Sequence, residues 1–124
     1  MATVQTAKFF TAAKDLSATA GGSSADVIYT CPNNFIALIR FMHVSNGSSN
    51  NKKYSIQWYE AATTTYHFIV DAHSLSANSL EEVVQGGGYL ALSAGDKIVG
   101  FEDSSADFHV VVSGEEHFQP TQIT

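Results

Sequence analysis

An all-β fold, a jelly-roll-like antiparallel β-sandwich of about eight strands, is what this sequence predicts. Three observations predict it. Short apolar runs rich in Val, Ile, Phe, Tyr and Thr alternate with a period of two, which is the strand signature. Clusters of Gly, Pro, Asn and Ser break those runs at short intervals, as the turns of a sandwich do. No stretch sustains the 3.6-residue period of an amphipathic helix. An immunoglobulin-like sandwich is the second architecture the pattern admits.

The elements follow in order. Residues 4–16, with Phe9 and Phe10 among Thr, Ala and Lys, form the first candidate strand, and 17–26 read as a loop. Residues 27–31 are a short strand stopped by Pro32-Asn33-Asn34, which is turn chemistry. In 35–45, strict alternation puts Ile36, Leu38, Met42 and Val44 on one face with Arg40. It puts Phe35, Ile39, Phe41 and His43 on the other. A strand apolar on both faces is central or covered. Residues 46–53 read as a hairpin loop that holds the adjacent basic pair Lys52-Lys53, with Asn46-Gly47 suited to positive φ. Tyr54, Ile56 and Trp58 alternate with Ser55, Gln57 and Tyr59; 61–64 turn the chain, and 66–71 alternate again. Residues 72–78 read as a polar loop, and 80–84 as a short strand or one helical turn. Gly86-Gly87-Gly88 breaks the chain, and Ala94-Gly95-Asp96 is a tight turn. Residues 98–101 and 108–112 are the last strands, and the end containing Pro120 is extended. One domain results: an N-terminal arm and loop (1–26), a sandwich (27–116) and a tail (117–124).

Composition narrows the function. Of the 124 residues 15% are charged, well below the usual fraction of about 25%. Six basic residues oppose twelve acidic ones, for a net charge of −6. Phosphate neutralisation needs clustered cations, so direct nucleic-acid binding is not expected, nor is docking on anionic lipid. No basic start precedes an apolar run, and no stretch approaches a membrane span of about 18 residues. The expectation is a soluble chain made in a reducing cytoplasm. The single cysteine, Cys31, reads as a small buried hydrophobe.

Candidate chemistry is sparse. His43, His67, His73, His109 and His117 form no local ligand spacing, although His67 and His109 can meet across a sheet; no metal and no cofactor is expected. Gly22-Ser23-Ser24 and Gly47-Ser48-Ser49 lack a nucleophile elbow. The acidic neighbours Glu81-Glu82, Glu102-Asp103 and Glu115-Glu116 point to opposite faces of a strand and cannot flank one glycosidic bond; they read as solvated charges. The glycine run lacks the lysine and helix of a phosphate loop. No catalytic residue is therefore assigned. Trp58, Tyr59 and Tyr66, beside Gln57 and His67, are the groups a sugar-stacking platform would use.

Several segments stand in order: Ile28-Tyr29-Thr30-Cys31-Pro32, Ala37-Leu38-Ile39-Arg40-Phe41, Val44-Ser45-Asn46 and Tyr54-Ser55-Ile56-Gln57-Trp58. Later stand Leu92-Ser93-Ala94-Gly95-Asp96-Lys97-Ile98 and Phe108-His109-Val110-Val111-Val112-Ser113-Gly114-Glu115-Glu116. This order, over about two-thirds of the chain, resembles the small β-sandwich virion proteins of tailed bacteriophages. The resemblance implies a structural virion subunit with no catalytic residues, most simply a capsid decoration (cement) protein made in the host cytoplasm. Tail, neck or fibre components and a carbohydrate-binding module are the alternatives. The implied partners are copies of itself, a trimer favoured, and the major capsid protein or other virion proteins. Phe9, Phe10, Phe35, Ile39, Phe41 and Tyr59 are the candidate interface residues, because exposed apolar area marks partner surfaces. The arm carrying Phe9 and Phe10 reads as a strand that could be donated to a neighbour.

Overall fold

In the computed structural model, which describes residues 7–84, 87–103 and 108–119, nine strands form two antiparallel sheets. They are β1 (Ala7–Asp15), β2 (Asp26–Thr30), β3 (Phe35–Asn46), β4 (Lys52–Glu60), β5 (Thr65–Leu75), β6 (Leu80–Val84), β7 (Leu90–Leu92), β8 (Lys97–Glu102) and β9 (Phe108–Phe118). The first sheet runs β1-β9-β3-β6, with β7 also on β3; the second runs β2-β8-β4-β5. β6 and β7 share the far edge of β3 end to end, on 42–45 and 37–39 respectively. The fold is thus a jelly-roll-like β-sandwich. Its core is built by alternate residues of both sheets, among them Ile39, Met42, Val44, Tyr54, Ile56, Ile98, Phe108, Val110 and Val112. Cys31 is 1% exposed, and burial, the largest influence, pushes its thiol up to about 11.

The parity of β3 differs from strict alternation. Its ladder with β9 slips between Ile39 and Phe41, so Arg40 is a β-bulge. Ala37 and Ile39 face inward before the bulge, and Met42, Val44 and Asn46 after it. The strand is apolar on both faces as expected, but the extra residue changes their membership: Leu38 and Phe41 face out, while Ala37, Ile39, Met42 and Val44 form the core face.

Residues 46–53 are not a hairpin loop. β3 belongs to the first sheet and β4, which includes Lys52 and Lys53, to the second, so the chain crosses between sheets here. Neither Asn46 nor Gly47 adopts positive φ. Asn46 is 1% exposed instead, and its amide is fully used. Its Nδ2 donates to the carbonyls of Asn50 and Leu75 at 2.9 and 3.0 Å, and its Oδ1 accepts from Ser48 N at 2.9 Å. One buried side chain therefore pins this crossover and the end of β5, because a buried amide must spend its hydrogen bonds inside.

Two boundaries also shift. β5 runs on to Leu75 through most of the expected 72–78 loop, and residues 80–84 are a strand. β9 continues to Phe118, so the tail does not begin at His117. β1 pairs with β9 of its own chain over its whole length. The expected strand at 4–6, the break at Gly86 and the end containing Pro120 lie outside the described residues.

The turn at Ala94-Gly95-Asp96 is as expected, with Gly95 at φ 87°. Asp96, 4% exposed, accepts hydrogen bonds from Ala61 N at 2.9 Å, Ser93 N at 3.0 Å and Trp58 Nε1 at 3.2 Å. A single carboxylate ties this turn to the β4–β5 turn.

Candidate interaction surface

The register of β1, β9, β3 and β6 lays out the outer face of the first sheet in rows. Phe9, Glu115 and Leu38 form one row; Thr11, Ser113 and Phe41 the next. Ala13, Val111, His43 and Glu82 follow, then Asp15, His109, Ser45 and Leu80. Phe9 is 86% exposed and Leu80 58%, while Phe41 and Val111 are half-buried. The Phe41 ring lies 4.2 Å from the His43 ring. Polar groups are interspersed with the apolar ones, Glu115, Ser113 and His109 standing on the middle strand β9, and many are paired within the face. Arg40 Nε donates to Glu115 Oε2 at 2.9 Å; His117 meets Glu115 at 3.0 Å, His109 meets Asp15 at 2.5 Å, and His43 meets Glu82 at 3.4 Å. The hydrogen bonds from His117 and then Arg40 hold the Glu115 carboxyl below its ordinary range. Exposed apolar side chains set among charges already paired with one another make this face a candidate protein contact.

The six candidate interface residues divide three ways. Phe9 and Phe41 share this outer face. Tyr59 lies on the outer face of the second sheet, against Tyr66 at 4.7 Å and under Lys97. The other three point inward, which corrects their assignment to a surface. Ile39 is fully buried in the core, because the bulge at Arg40 follows it rather than precedes it. Phe10 stacks on Tyr29 of the other sheet at 4.3 Å and closes that side of the sandwich. Phe35 packs half-buried against the core, with its ring 5.6 Å from that of Phe118.

On the second sheet, Ser55, Gln57 and Val99 point away from the core yet are only 2–5% exposed. The 17–25 loop lies over Gln57 and the end of β8, as Gly22 N donates to Gln57 Oε1 at 2.9 Å and Glu102 N donates to Ala18 O at 2.9 Å, while Ser55 Oγ accepts from Ala72 N at 2.9 Å. A Cβ added at Gly21 would meet the Phe101 ring at 2.8 Å, so any other residue there must displace that ring. The groups of a sugar platform are consequently split. Trp58 faces inward, stacked on His67 at 4.9 Å and bonded to Asp96, and Gln57 is spent on Gly22, while Tyr59 and Tyr66 stand on the other face.

His67 and His109 lie in different sheets and do not meet. Each of the five histidines instead stands beside a carboxylate, at 2.5–3.4 Å. Among the described residues no three His, Cys, Asp or Glu side chains converge as metal ligands would.

The adjacent carboxylates do split across faces, but they are not all solvated. Glu82 and Glu115 face out. Glu116 is 5% exposed, accepts from Tyr29 Oη at 2.5 Å and meets Lys8 Nζ at 3.4 Å. Glu81 accepts a short hydrogen bond from Tyr54 Oη and lies 3.3 Å from His73 Nε2. Burial, and then these bonds to carboxylates, push both tyrosine hydroxyls far above their ordinary range. No local sequence signal marks these pairs, which join residues 87 and 27 positions apart.

No protein-family model matches the sequence, and no curated protein matches it. Among solved structures, the globular domain of zebrafish complement 1qA protein is similar over 96% of this chain and 100% of its own, with 14% sequence identity and a TM-score of 0.43.

Proposed function

We propose that the chain is a non-enzymatic structural subunit of a phage virion, a capsid decoration protein that acts through contacts made by the outer face of β1-β9-β3-β6. The observation that carries the assembly reading is Phe9, 86% exposed on the same outer face as Leu38 and Phe41, a face whose charges are largely paired among themselves. Burying such a ring is worth about 1.5–3 kcal/mol, which a monomer forgoes. Pairing of the face's charges in advance lowers the cost of desolvating them. The virion role rests on the sequence resemblance, and closed cyclic symmetry, a trimer favoured, is the usual arrangement for identical subunits. A sugar-binding role draws less support, because Trp58 and Gln57 are committed elsewhere.

Two measurements test this. Light scattering of the purified chain is expected to give a discrete oligomer that Phe9→Ser dissociates without loss of fold. Mass spectrometry of particles of the encoding phage is expected to find the chain in heads at a copy number set by capsid symmetry. Absence from particles overturns the virion role; recovery in tails moves the subunit to the neck, tail or fibre. An oligomer indifferent to Phe9→Ser and Phe41→Ser overturns the face.

A further inference from the structure

The two sides of the sandwich are closed differently. On one side Phe10 of β1 stacks on Tyr29 of β2 and bridges the sheets. On the other, β5 and the β6–β7 edge leave a groove. A cavity of about 410 Å³ there has Tyr54, Val70 and Val83 in its walls. A second, of about 350 Å³, shares Ile69 and Val83 with it and continues to Leu90 and Tyr89. Ile69 is 36% exposed and Tyr89 60%. Each cavity is within the size range of binding clefts, about 300–1,000 Å³.

The charge of the groove selects its occupant. Asp71, Glu81 and Glu82 stand at one end, and neither cavity is lined by a lysine or arginine. Among the described residues, the cationic candidates that touch these carboxylates are imidazoles: His73 on Glu81 and His43 on Glu82. The whole chain carries −6, so its field draws in a cation and repels a second copy. The ladder of β4 with β5 slips at Ile69 and again between His73 and Val70, and bulges of this kind interrupt an edge for continuous strand addition. A bound segment is held by its side chains rather than by a long backbone ladder.

We propose that this groove binds an extended segment of a partner protein in which aliphatic side chains alternate with lysine or arginine. Aliphatic groups fill the space between Ile69, Val83 and Leu90, and a basic group reaches Asp71 and Glu82. The groove shares Glu82 with the edge of the Phe9–Phe41 face but neither Phe9 nor Phe41, and it does not rest on the virion reading.

The test is calorimetric titration of the full chain with an acetylated, amidated Val-Lys-Val-Lys-Val-Lys peptide and its Val-Glu counterpart. The lysine peptide is expected to bind at least about tenfold more tightly, a difference of about 1.4 kcal/mol. Ile69→Lys, at an exposed position, is expected to weaken binding about tenfold or more, and Asp71→Asn with Glu82→Gln to flatten its salt dependence. Circular dichroism confirms that each variant is folded. Equal binding of the two peptides, no binding of either, or lysine-peptide binding that survives Ile69→Lys overturns the proposal. Phe9→Ser is expected to leave peptide binding unchanged, so this site and the proposed assembly face fail independently.

Discussion

Asp26 shows how one side chain organises a loop. Its carboxylate accepts from Ser17 N at 2.7 Å and Ala18 N at 2.9 Å, and so fastens the 17–25 loop across the second sheet. Burial works against its charge, but the amides of Ala18 and Ser17 and the nearby Lys14 outweigh it and lower its pKa from 3.8. A group depressed in the folded state stabilises above its unfolded pKa, and that contribution fades as pH falls through the folded value. Asp26→Ala is expected to cost about 1 kcal/mol at neutral pH, with the difference from wild type shrinking below about pH 4. Urea midpoints measured across that range check it. Asn46 and Asp96 work in the same way at the two ends of the sandwich. Each is a short polar side chain buried whole, with its donors or acceptors spent on the backbone of distant segments.

At the scale of elements, the β3–β9 pair decides the parity of the first sheet. Arg40 bulges out, and opposite it Gly114 sits where an added Cβ would lie 1.8 Å from Leu38 O. The obstacle is backbone, so the clash cannot be relieved by turning a side chain. Gly114→Ala is expected to cost more than about 3 kcal/mol, or to prevent folding, as read from chemical denaturation of the variant. The bulge matters for the surface too. It turns Phe41 and His43 outward after Ile39 has been turned in, and it places Arg40 against Glu115. Without the extra residue, Met42 and Val44 would face solvent and Phe41 would enter the core.

For the whole molecule, charge and apolar exposure pull in opposite directions. The chain carries −6, so identical subunits repel one another at long range. The Phe9–Phe41 face rewards their contact at short range. Salt within the physiological range and above screens the first and spares the second. Light scattering is therefore expected to show stronger self-association between 0.05 and about 0.5 M salt, the reverse of the weakening expected for a basic peptide in the β5–β6 groove. Association that weakens with salt would indicate a contact dominated by opposite charges instead of Phe9 and its neighbours.

Period-two alternation, turn residues and the lack of a helical period were enough to determine the class: an all-β sandwich with a tight Ala94-Gly95-Asp96 turn and a β4–β5 turn at residues 61–64. These signals are local, and a strand's pattern lies in its own residues. Much of the candidate surface was legible only in part, for the opposite reason. Whether Ile39 or Phe41 faces the core depends on one bulge against a strand some seventy residues away. Whether 46–53 is a hairpin or a crossing depends on which sheet receives β4. Glu81 and Glu116 read as solvated acids until Tyr54 and Tyr29 arrive from other strands. Register, sheet membership and side-chain pairing across the core are long-range choices. They are settled by how two whole sheets pack, and the alternation along a single strand is the same for each alternative.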